Sequence, residues 1–228
     1  MKKQRSYIKV NRECYNAFAD EFYKREIAKS VGKHLAVIIH NALDSELKKD
    51  TYKVLEFGCG TGTILAGLEN IDKFKYKLYA IDFSEKMIGY AKVNAPSAKF
   101  VIKNVLSVKN FSFEEKKKND KFDIIIMAAF IHLFPKVDVE ELFGKVKGWL
   151  NPNGLIYIDT TKEDKTDSGE ISIKQGENVR APRFRARWTE KDFENLLECN
   201  GFNIIPFPEQ NRTDVNEQMW LRRIAKKR

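Results

Sequence analysis

The chain has 228 residues, of which 43% are hydrophobic and 32% charged, and its formal net charge is +9. This composition is typical of a globular protein with one core, and no apolar segment approaches the ~20 residues of a membrane-spanning helix. Three widely spaced cysteines predict neither a disulfide framework nor a metal site. The N-terminus lacks the apolar region of a signal peptide, so we expect a cytoplasmic protein that does not bind membranes.

Much of the positive charge lies near the two ends of the sequence. Lys2, Lys3 and Arg5 stand at the start, and residues 222–228 contain three arginines and two lysines. Such clusters are more often solvated tails than nucleic-acid surfaces. Nucleic acid therefore stays open as a partner without being favoured.

Residues 1–50 predict a cap of two helices ahead of the first strand. Apolar and aromatic residues recur at helical spacing in residues 11–30, up to Ile27, and Gly32 then predicts a break. A second helical pattern covers residues 33–47.

A predicted strand with an embedded acid then meets a turn with three glycines. The segment reads Glu56-Phe57-Gly58-Cys59-Gly60-Thr61-Gly62 and leads into a helical pattern. Glycine allows backbone angles that a Cβ resists and lets a ligand approach the main chain, so we expect the N–H groups of the turn to face a ligand. A dinucleotide fingerprint would need glycine at position 63, where Thr63 stands, and this argues against a dehydrogenase.

This segment resembles the first motif of the class I S-adenosylmethionine-dependent methyltransferases, Asp/Glu-x-Gly-x-Gly-x-Gly. The resemblance implies S-adenosylmethionine as cofactor and S-adenosylhomocysteine as product. It also implies that Glu56 orients the turn or the cofactor amine, while the backbone of residues 58–60 brackets the methionine moiety. The implied cofactor contacts of the motif are Glu56, Phe57, Gly58, Cys59, Gly60, Thr61 and Gly62.

In the same family, a helix before this motif often lies over the cofactor. Residues 15–23 look like that segment, and Tyr15 is a candidate catalytic residue. The first helix is expected either to form such a lid or simply to pack on the core.

A second strand is predicted at residues 76–81, with Ser84 as the N-cap of the next helix. Asp82 ends this strand 20 positions beyond Gly62 (82 − 62), where a Rossmann-like unit places the acid that accepts the ribose hydroxyls. Because Ser84 already caps the helix, the ribose role is favoured over a capping role for Asp82. The other predicted cofactor contacts here are Phe83 and Met87.

A third strand, at residues 100–103, ends at Asn104. The resembled family commonly has an acid here that meets the adenine amino group, and the amide oxygen of Asn104 could accept the same proton. The backbone N–H of Val105 would reach a ring nitrogen. Residues 111–120, rich in lysine and glutamate, predict a solvated helix or loop.

Residues 122–130 form the continuous apolar pattern of a strand buried on both faces. We expect it beside the first strand, with its end opposite the glycine turn, where the carbonyl of Ala128 could accept from the cofactor amine. His132 follows at the rim and is a candidate base for the methyl acceptor. The alternative is that His132 only packs where the strand becomes a loop.

Residues 139–150 predict an amphipathic helix, and residues 151–154 predict a turn into a strand at 155–159. The segment Trp149-Leu150-Asn151-Pro152-Asn153-Gly154-Leu155 resembles the Leu-x-Pro-Gly-Gly turn at this place in the same family.

Residues 160–188 are a polar insertion, and in this family such insertions often build the acceptor pocket. If extended, the chain here places Arg183, Arg185 and Arg187 on one side and Phe184, Ala186 and Trp188 on the other. The arginine row could bind a phosphate or carboxylate of the acceptor or a nucleic-acid backbone, or could be a solvated edge.

Thr189 is the expected N-cap of a last helix with Phe193, Leu196 and Leu197 on its apolar face, and Gly201 ends it. Two strands, near residues 202–207 and 217–225, look like the closing antiparallel pair of the family's sheet.

The alternation of strands and helices predicts a single α/β domain over residues 1–228. With the resemblance, it predicts a three-layer, Rossmann-like, seven-stranded and mostly parallel sheet with an antiparallel last strand. We expect methyl transfer to a small molecule, with an anionic acceptor as one possibility. The chain has no appended RNA-binding module and no Asn-Pro-Pro-Tyr motif, which places tRNA or rRNA second. A cofactor-binding regulator without turnover is a further alternative, and the sequence predicts no oligomeric state.

Overall fold

The computed structural model of the protein describes residues 6–72, 74–109, 113, 120–206 and 220–228. Most of the predicted 111–120 segment therefore lies outside the described residues, as do residues 207–219. In chain order the elements are α1 (Ser6–Lys24), α2 (Glu26–Glu46), β1 (Tyr52–Phe57), α3 (Thr63–Asp72), β2 (Tyr76–Asp82), α4 (Glu85–Asn94), β3 (Lys99–Ile102), β4 (Phe122–Met127), α5 (Lys136–Trp149), β5 (Leu150–Thr161), β6 (Glu170–Gln175), β7 (Arg180–Arg185), α6 (Glu190–Cys199), β8 (Phe202–Ile205) and β9 (Trp220–Lys227).

Seven strands form one sheet in the order β3-β2-β1-β4-β5-β9-β8. Strands β1 to β5 are parallel, and β9 runs antiparallel to both of its neighbours. The predicted fold class is confirmed, including the central place of the buried strand β4. The parallel arrangement brings the carboxyl ends of β1, β2, β4 and β5 to one edge of the sheet.

Alternating side chains of the sheet build two separate cores. Leu55 and Phe57 belong to the core shared with α5 and α6, whereas Val54 packs in the core shared with α2, α3 and α4. Apolar residues on both faces of the inner strands therefore produce the three layers. The predicted turn at residues 151–154 is an irregular stretch inside β5, because Leu150 pairs with Phe122 and Leu155 with Ile124.

The predicted break at Gly32 is wrong, because the first two helices separate at Arg25. Gly32 lies inside α2, where a Cβ would come within 2.5 Å of the Cβ of Thr63 on α3. This glycine therefore allows two helices to pack closely instead of ending one. Ile27 is 65% exposed and is not part of the buried stripe.

The two helices of the predicted cap have different positions. α2 packs on α3, while α1 contacts α4 and the β6–β7 hairpin. Ser84 Oγ donates to Asn16 Oδ1 at 2.6 Å, and Tyr90 OH donates to Asp20 Oδ1 at 2.8 Å. These bonds hold α1 across the carboxyl edge of the sheet.

The insertion forms the antiparallel β6–β7 hairpin, a second sheet that lies against α1. Asn11 joins the hairpin to α1, because its Oδ1 accepts from the backbone N of Phe184 at 2.8 Å. Its Nδ2 donates to the backbone O of Leu133 at 3.0 Å, so one side chain links α1, the hairpin and the segment after β4. The side chains of Phe184, Ala186 and Trp188, predicted to lie opposite the arginines, are buried.

The C-terminal basic residues are not the solvated tail that the sequence suggested. Residues 222–227 lie in β9, and Arg223 pairs with Glu190 at 2.8 Å and with Glu194 at 2.5 Å. Lys226 pairs with Glu46 at 3.1 Å. Residues 1–5 lie outside the described part. Among the helices of the described ranges, none has the length and apolar content to span a bilayer.

Candidate functional site

A cavity of about 390 Å³ lies at the carboxyl edge of the sheet. The sheet supplies one side of it, while α1 and the β6–β7 hairpin supply the other. The sequence-predicted residues that it brings together are Tyr15, Gly58, Gly60, Asp82, Phe83, Met87, Ala128, His132, Arg183 and Arg185. The site is thus at the edge predicted from the glycine turn, which is where open α/β sheets bind ligands.

Gly58 and Gly60 have similar backbone angles but different surroundings. Gly58 and Gly60 have φ values of +64° and +52°, a region that side chains with a Cβ rarely adopt. A Cβ on Gly58 would lie 2.4 Å from the ring of Phe130, whereas nothing lies within 4 Å of a Cβ on Gly60. The open approach to the backbone is therefore at Gly60.

Contrary to the expectation from the sequence, the N–H groups of the three glycines do not face the cavity. Gly58 N donates to Ile81 O at 2.8 Å, and Gly62 N donates to Cys59 O at 2.8 Å. Gly60 N donates to Asp82 Oδ2 at 3.0 Å. These hydrogen bonds hold the turn in place. A ligand can approach the backbone of the turn mainly because glycine has no side chain.

Asp82 connects the turn to the start of α4. Its Oδ1 accepts from Ser84 N at 2.8 Å, while Oδ2 accepts from Gly60 N. Burial raises the pKa of Asp82 to about 6. A carboxylate has about four lone-pair sites, so both oxygens can still accept from hydroxyl groups of a ligand. Ser84 Oγ accepts from Met87 N at 3.1 Å, which confirms Ser84 as the N-cap.

Glu56 is buried beside Asp82, and its Oε2 has no hydrogen-bond partner among the described residues. Burial, with the nearby charges of Asp82 and Asp159, raises the pKa of Glu56 well above its usual value. A buried carboxylate with an unsatisfied oxygen is costly unless a ligand supplies a donor or a positive charge.

Asp159, at the end of β5, is a site residue that the sequence analysis missed. Its Oδ1 accepts from Ala129 N at 2.6 Å and its Oδ2 accepts from Tyr157 OH at 2.6 Å. Ala129 has φ +49°, so Asp159 stabilises an unusual backbone conformation where the chain leaves β4. The sequence feature that could have identified Asp159 is an acid at the end of an apolar strand. Asp82 lines the cavity, and Glu56 and Asp159 are buried near it without lining it; these three acids are called the acidic side of the site.

The other predicted cofactor contacts surround this cavity without lining it. Glu56, Phe57, Cys59, Thr61 and Val105 are buried, and Gly62 packs closely against Ala91. Asn104 Oδ1 accepts from Leu106 N at 3.1 Å, and Asn104 lines a small neighbouring cavity together with Phe83. The described residues contain no group of three or more His, Cys, Asp or Glu placed to hold a metal ion.

His132 is buried and lines the cavity, with its Nδ1 at 3.2 Å from Thr160 Oγ1. Burial, followed by the charges of Arg185 and Arg183, lowers its pKa to about 3. The imidazole is therefore neutral at physiological pH and resists taking a proton. Tyr15 lies close to Arg183, and burial raises the pKa of the Tyr15 hydroxyl.

Lys174, Arg183 and Arg185 form the basic side of the cavity, and Arg25, which also lines it, is paired with Glu21. Lys174, which the sequence analysis did not select, lies on β6 with its Nζ 5.0 Å from the ring centre of Phe18 and 5.3 Å from that of Phe22. Arg185 contacts Thr161 and pairs with Glu163 at 3.2 Å. The predicted arginine row divides, because Arg187 is exposed outside the cavity and pairs with Asp167 at 3.2 Å and Glu170 at 2.9 Å.

A family model described as "Methyltransferase domain" matches residues 15–206 of the chain. The malonyl-[acyl-carrier protein] O-methyltransferase of Halalkalibacterium halodurans is 26% identical over 138 residues, covering 57% of this chain and 48% of that protein. The tRNA N(3)-cytidine methyltransferase METTL2 of Mus musculus is 23% identical over 177 residues, covering 73% of this chain and 44% of that protein. The chain thus spans about half the length of the curated relatives it matches.

Among solved structures, the Burkholderia thailandensis 1,6-didemethyltoxoflavin-N1-methyltransferase is similar in fold, with a TM-score of 0.68 at 16% identity. The match covers 100% of this chain and 91% of that one. That structure contains bound 1,6-didemethyltoxoflavin and S-adenosylhomocysteine.

Proposed function

We propose that this chain, which belongs to the methyltransferase domain family, is an enzyme that transfers a methyl group from S-adenosylmethionine to a small anionic molecule. The observation that carries the proposal is the division of charge within one cavity. The acidic side lies at the glycine turn, and the basic side lies on the hairpin that faces it.

The residues at the acidic side fit the cofactor. S-adenosylmethionine has a positive sulfonium and an ammonium group, and the unsatisfied Oε2 of Glu56 would accept from the latter. Asp82 would accept from the ribose hydroxyls, and the space at Gly60 would admit the methionine chain. Phe83 and Asn104 would face the adenine, and the carbonyl of Ala128 is a second acceptor for the amine.

When bound, the cofactor supplies an electrophilic methyl carbon that needs little further activation. The work left to the protein is to align the acceptor with that carbon and to exclude water. α1 covers the cavity with Tyr15 and Phe22, while Arg183 and Arg185 would orient a negatively charged acceptor. The low pKa of His132 makes it a poor base. Its role would therefore be to position the acceptor.

The enclosed position of the basic side supports a small molecule as the methyl acceptor. Arg183 and Arg185 are half-buried inside a cavity of about 390 Å³, which is within the usual range for small-molecule sites. A nucleic-acid backbone is usually bound by exposed cations along an open surface. The similarity to a tRNA methyltransferase makes RNA the alternative acceptor, and a binding protein without turnover is the second alternative.

Two measurements test the proposed function. Calorimetry should detect binding of S-adenosylhomocysteine, and labelled methyl groups should be transferred to a fraction of small metabolites after nuclease treatment. Transfer that disappears when the fraction is treated with nuclease would assign an RNA acceptor instead. Cofactor binding with no transfer to metabolites or RNA would favour the regulator.

A further inference from the structure

We propose that the methylated atom is an oxygen of the acceptor's own acid group, so that the product is the methyl ester of a carboxylic, phosphonic or phosphoric acid. This inference rests on the proposed function. One bond forms between the acceptor oxygen and the methyl carbon, while the bond from that carbon to sulfur breaks and its electron pair stays on sulfur. One negative and one positive charge are lost, and no proton is transferred.

Two cations in the cavity, Arg183 and Lys174, have no carboxylate partner among the described residues. Arg183 lies close to Tyr15, and its buried Nε has no partner in the described part of the chain. Lys174 lies against the rings of Phe18 and Phe22, and no described carboxylate is within ion-pairing distance of its Nζ. Half-buried charges of this kind are costly without an anion.

The basic side of the cavity is electrostatically unfavourable on its own. Burial lowers the pKa of Lys174, and the charge of Arg183 lowers it further. The pKa of Arg185 is lowered in the same way, by burial and then by Arg183, and its Nε also has no partner among the described residues. An oxyanion would relieve this repulsion and accept charge-assisted hydrogen bonds from all three side chains.

The uncharged and acidic side chains that line the described part of the cavity include no suitable base for the acceptor. Apart from the cations, the proton-accepting candidates among the described lining residues are His132, Tyr15 and Asp82. The pKa of His132 is lowered to about 3, and burial raises that of the Tyr15 hydroxyl, which therefore keeps its own proton. Asp82 accepts from Gly60 and Ser84 at the glycine turn, and the proposed function assigns its remaining accepting capacity to the cofactor ribose. A neutral hydroxyl would need to lose a proton to such a base, but an oxyanion has none to lose.

The first test measures anion binding to the protein saturated with S-adenosylhomocysteine. Malonate and methylphosphonate serve as the probes, and the double variant Lys174→Ala/Arg183→Ala is compared with Arg180→Ala, which changes an exposed arginine of the same strand. We expect at least tenfold weaker binding of one or both anions in the double variant only. Unchanged anion binding would overturn the inference, as would a tenfold loss of S-adenosylhomocysteine affinity, because the cations would then serve the cofactor.

The second test identifies the chemistry of the product. Methyl groups labelled with ¹³C and ¹⁴C are transferred to an acidic metabolite fraction, and the product is treated with alkali. Volatile labelled methanol indicates a carboxylic ester, and coupling of the methyl protons to phosphorus indicates a phosphonic or phosphoric ester. A stable methyl group without that coupling would refute the inference and leave the methyltransferase proposal intact. Failure of transfer to every fraction would count against the proposed function itself.

Lys174→Arg provides a matched control, because it keeps the positive charge but removes a group that could act as a base. We expect it to retain transfer within about tenfold of the unchanged protein, a loss of about 1.4 kcal/mol at most. Loss of transfer with anion binding retained would assign Lys174 as a base and contradict the inference.

Discussion

The carboxylate of Asp82 accepts a hydrogen bond from the backbone of Gly60 at 3.0 Å, which joins the end of β2 to the turn that follows β1. One side chain therefore shapes the glycine turn and also lines the cavity. Changes at Asp82 should affect ligand binding both directly and through the conformation of the turn.

Asp82→Ala should weaken binding of S-adenosylmethionine by roughly 2–4 kcal/mol, the value of two charge-assisted hydrogen bonds. Calorimetry with S-adenosylmethionine measures the loss, and circular dichroism checks that the variant is folded. Unchanged affinity in a folded variant would contradict the assignment of the whole cofactor side.

The affinity for S-adenosylhomocysteine should fall as the pH drops through about 6, because burial raises the pKa of Asp82 to about 6 and the ionised form is the better acceptor. In the absence of ligand, the contribution of Asp82 to the free energy of unfolding should show the opposite trend and be larger at low pH. The folded protein holds this proton more tightly than the unfolded chain, so the contribution of Asp82 to stability decreases as the pH rises from about 4 to about 6. Titration by calorimetry between pH 5 and 8, with Asp82→Asn as the control, checks both the midpoint and its origin.

Glu56→Gln should leave the ligand-free protein as stable or more stable, because it removes a buried acid that lies beside Asp82 and Asp159. It should weaken S-adenosylmethionine binding at least tenfold, or about 1.4 kcal/mol. The raised pKa of Glu56 also predicts that binding releases a proton, which makes the binding heat depend on the buffer. That dependence should decrease in the variant, and a variant that is both less stable and unchanged in affinity would refute this role.

His132→Ala should lower turnover far more than cofactor affinity, because the imidazole lines the acceptor's part of the cavity. If His132 positions the acceptor, the dependence of the remaining rate on pH should be the same as in the unchanged protein between pH 6 and 8. A change in that pH profile would instead indicate that His132 is a base. Equal turnover would exclude both roles.

Gly32→Ala should destabilise the protein by about 1–3 kcal/mol, because the added Cβ would lie 2.5 Å from Thr63. Gly89→Ala is the matched control on α4, where nothing lies within 4 Å of the new Cβ. That change should stabilise the protein by about 0.5–1 kcal/mol, since alanine is the better helix former. Urea unfolding of both variants measures the difference, and equal effects would refute the close packing of α2 on α3.

The sheet and its acidic edge could be predicted because their signals are local. Glycines after an apolar strand, and Asp82 just before an N-capped helix, are visible within a few residues of sequence. Gly32 was misinterpreted because a missing Cβ serves equally to end a helix and to allow close packing. Only the position of Thr63 on another helix decides between the two.

The basic side was predictable only in part. An extended strand correctly placed Arg183 and Arg185 together, but Arg187 lies beyond the end of β7 and forms its own ion pairs. Lys174 comes to the cavity because β6 folds back along β7 and lies against α1, a contact between segments far apart in the sequence. No periodic pattern within β6 carries that information.

The opposite charges on the two sides of the cavity also affect how a catalytic cycle ends. Ester formation removes the sulfonium charge of the cofactor and, in the same event, one negative charge of the acid group that Lys174 and Arg183 face. Both products then leave a site that attracts them less than it attracted the reactants. Release should therefore become easier on both sides at once, and product inhibition by the ester should be weak.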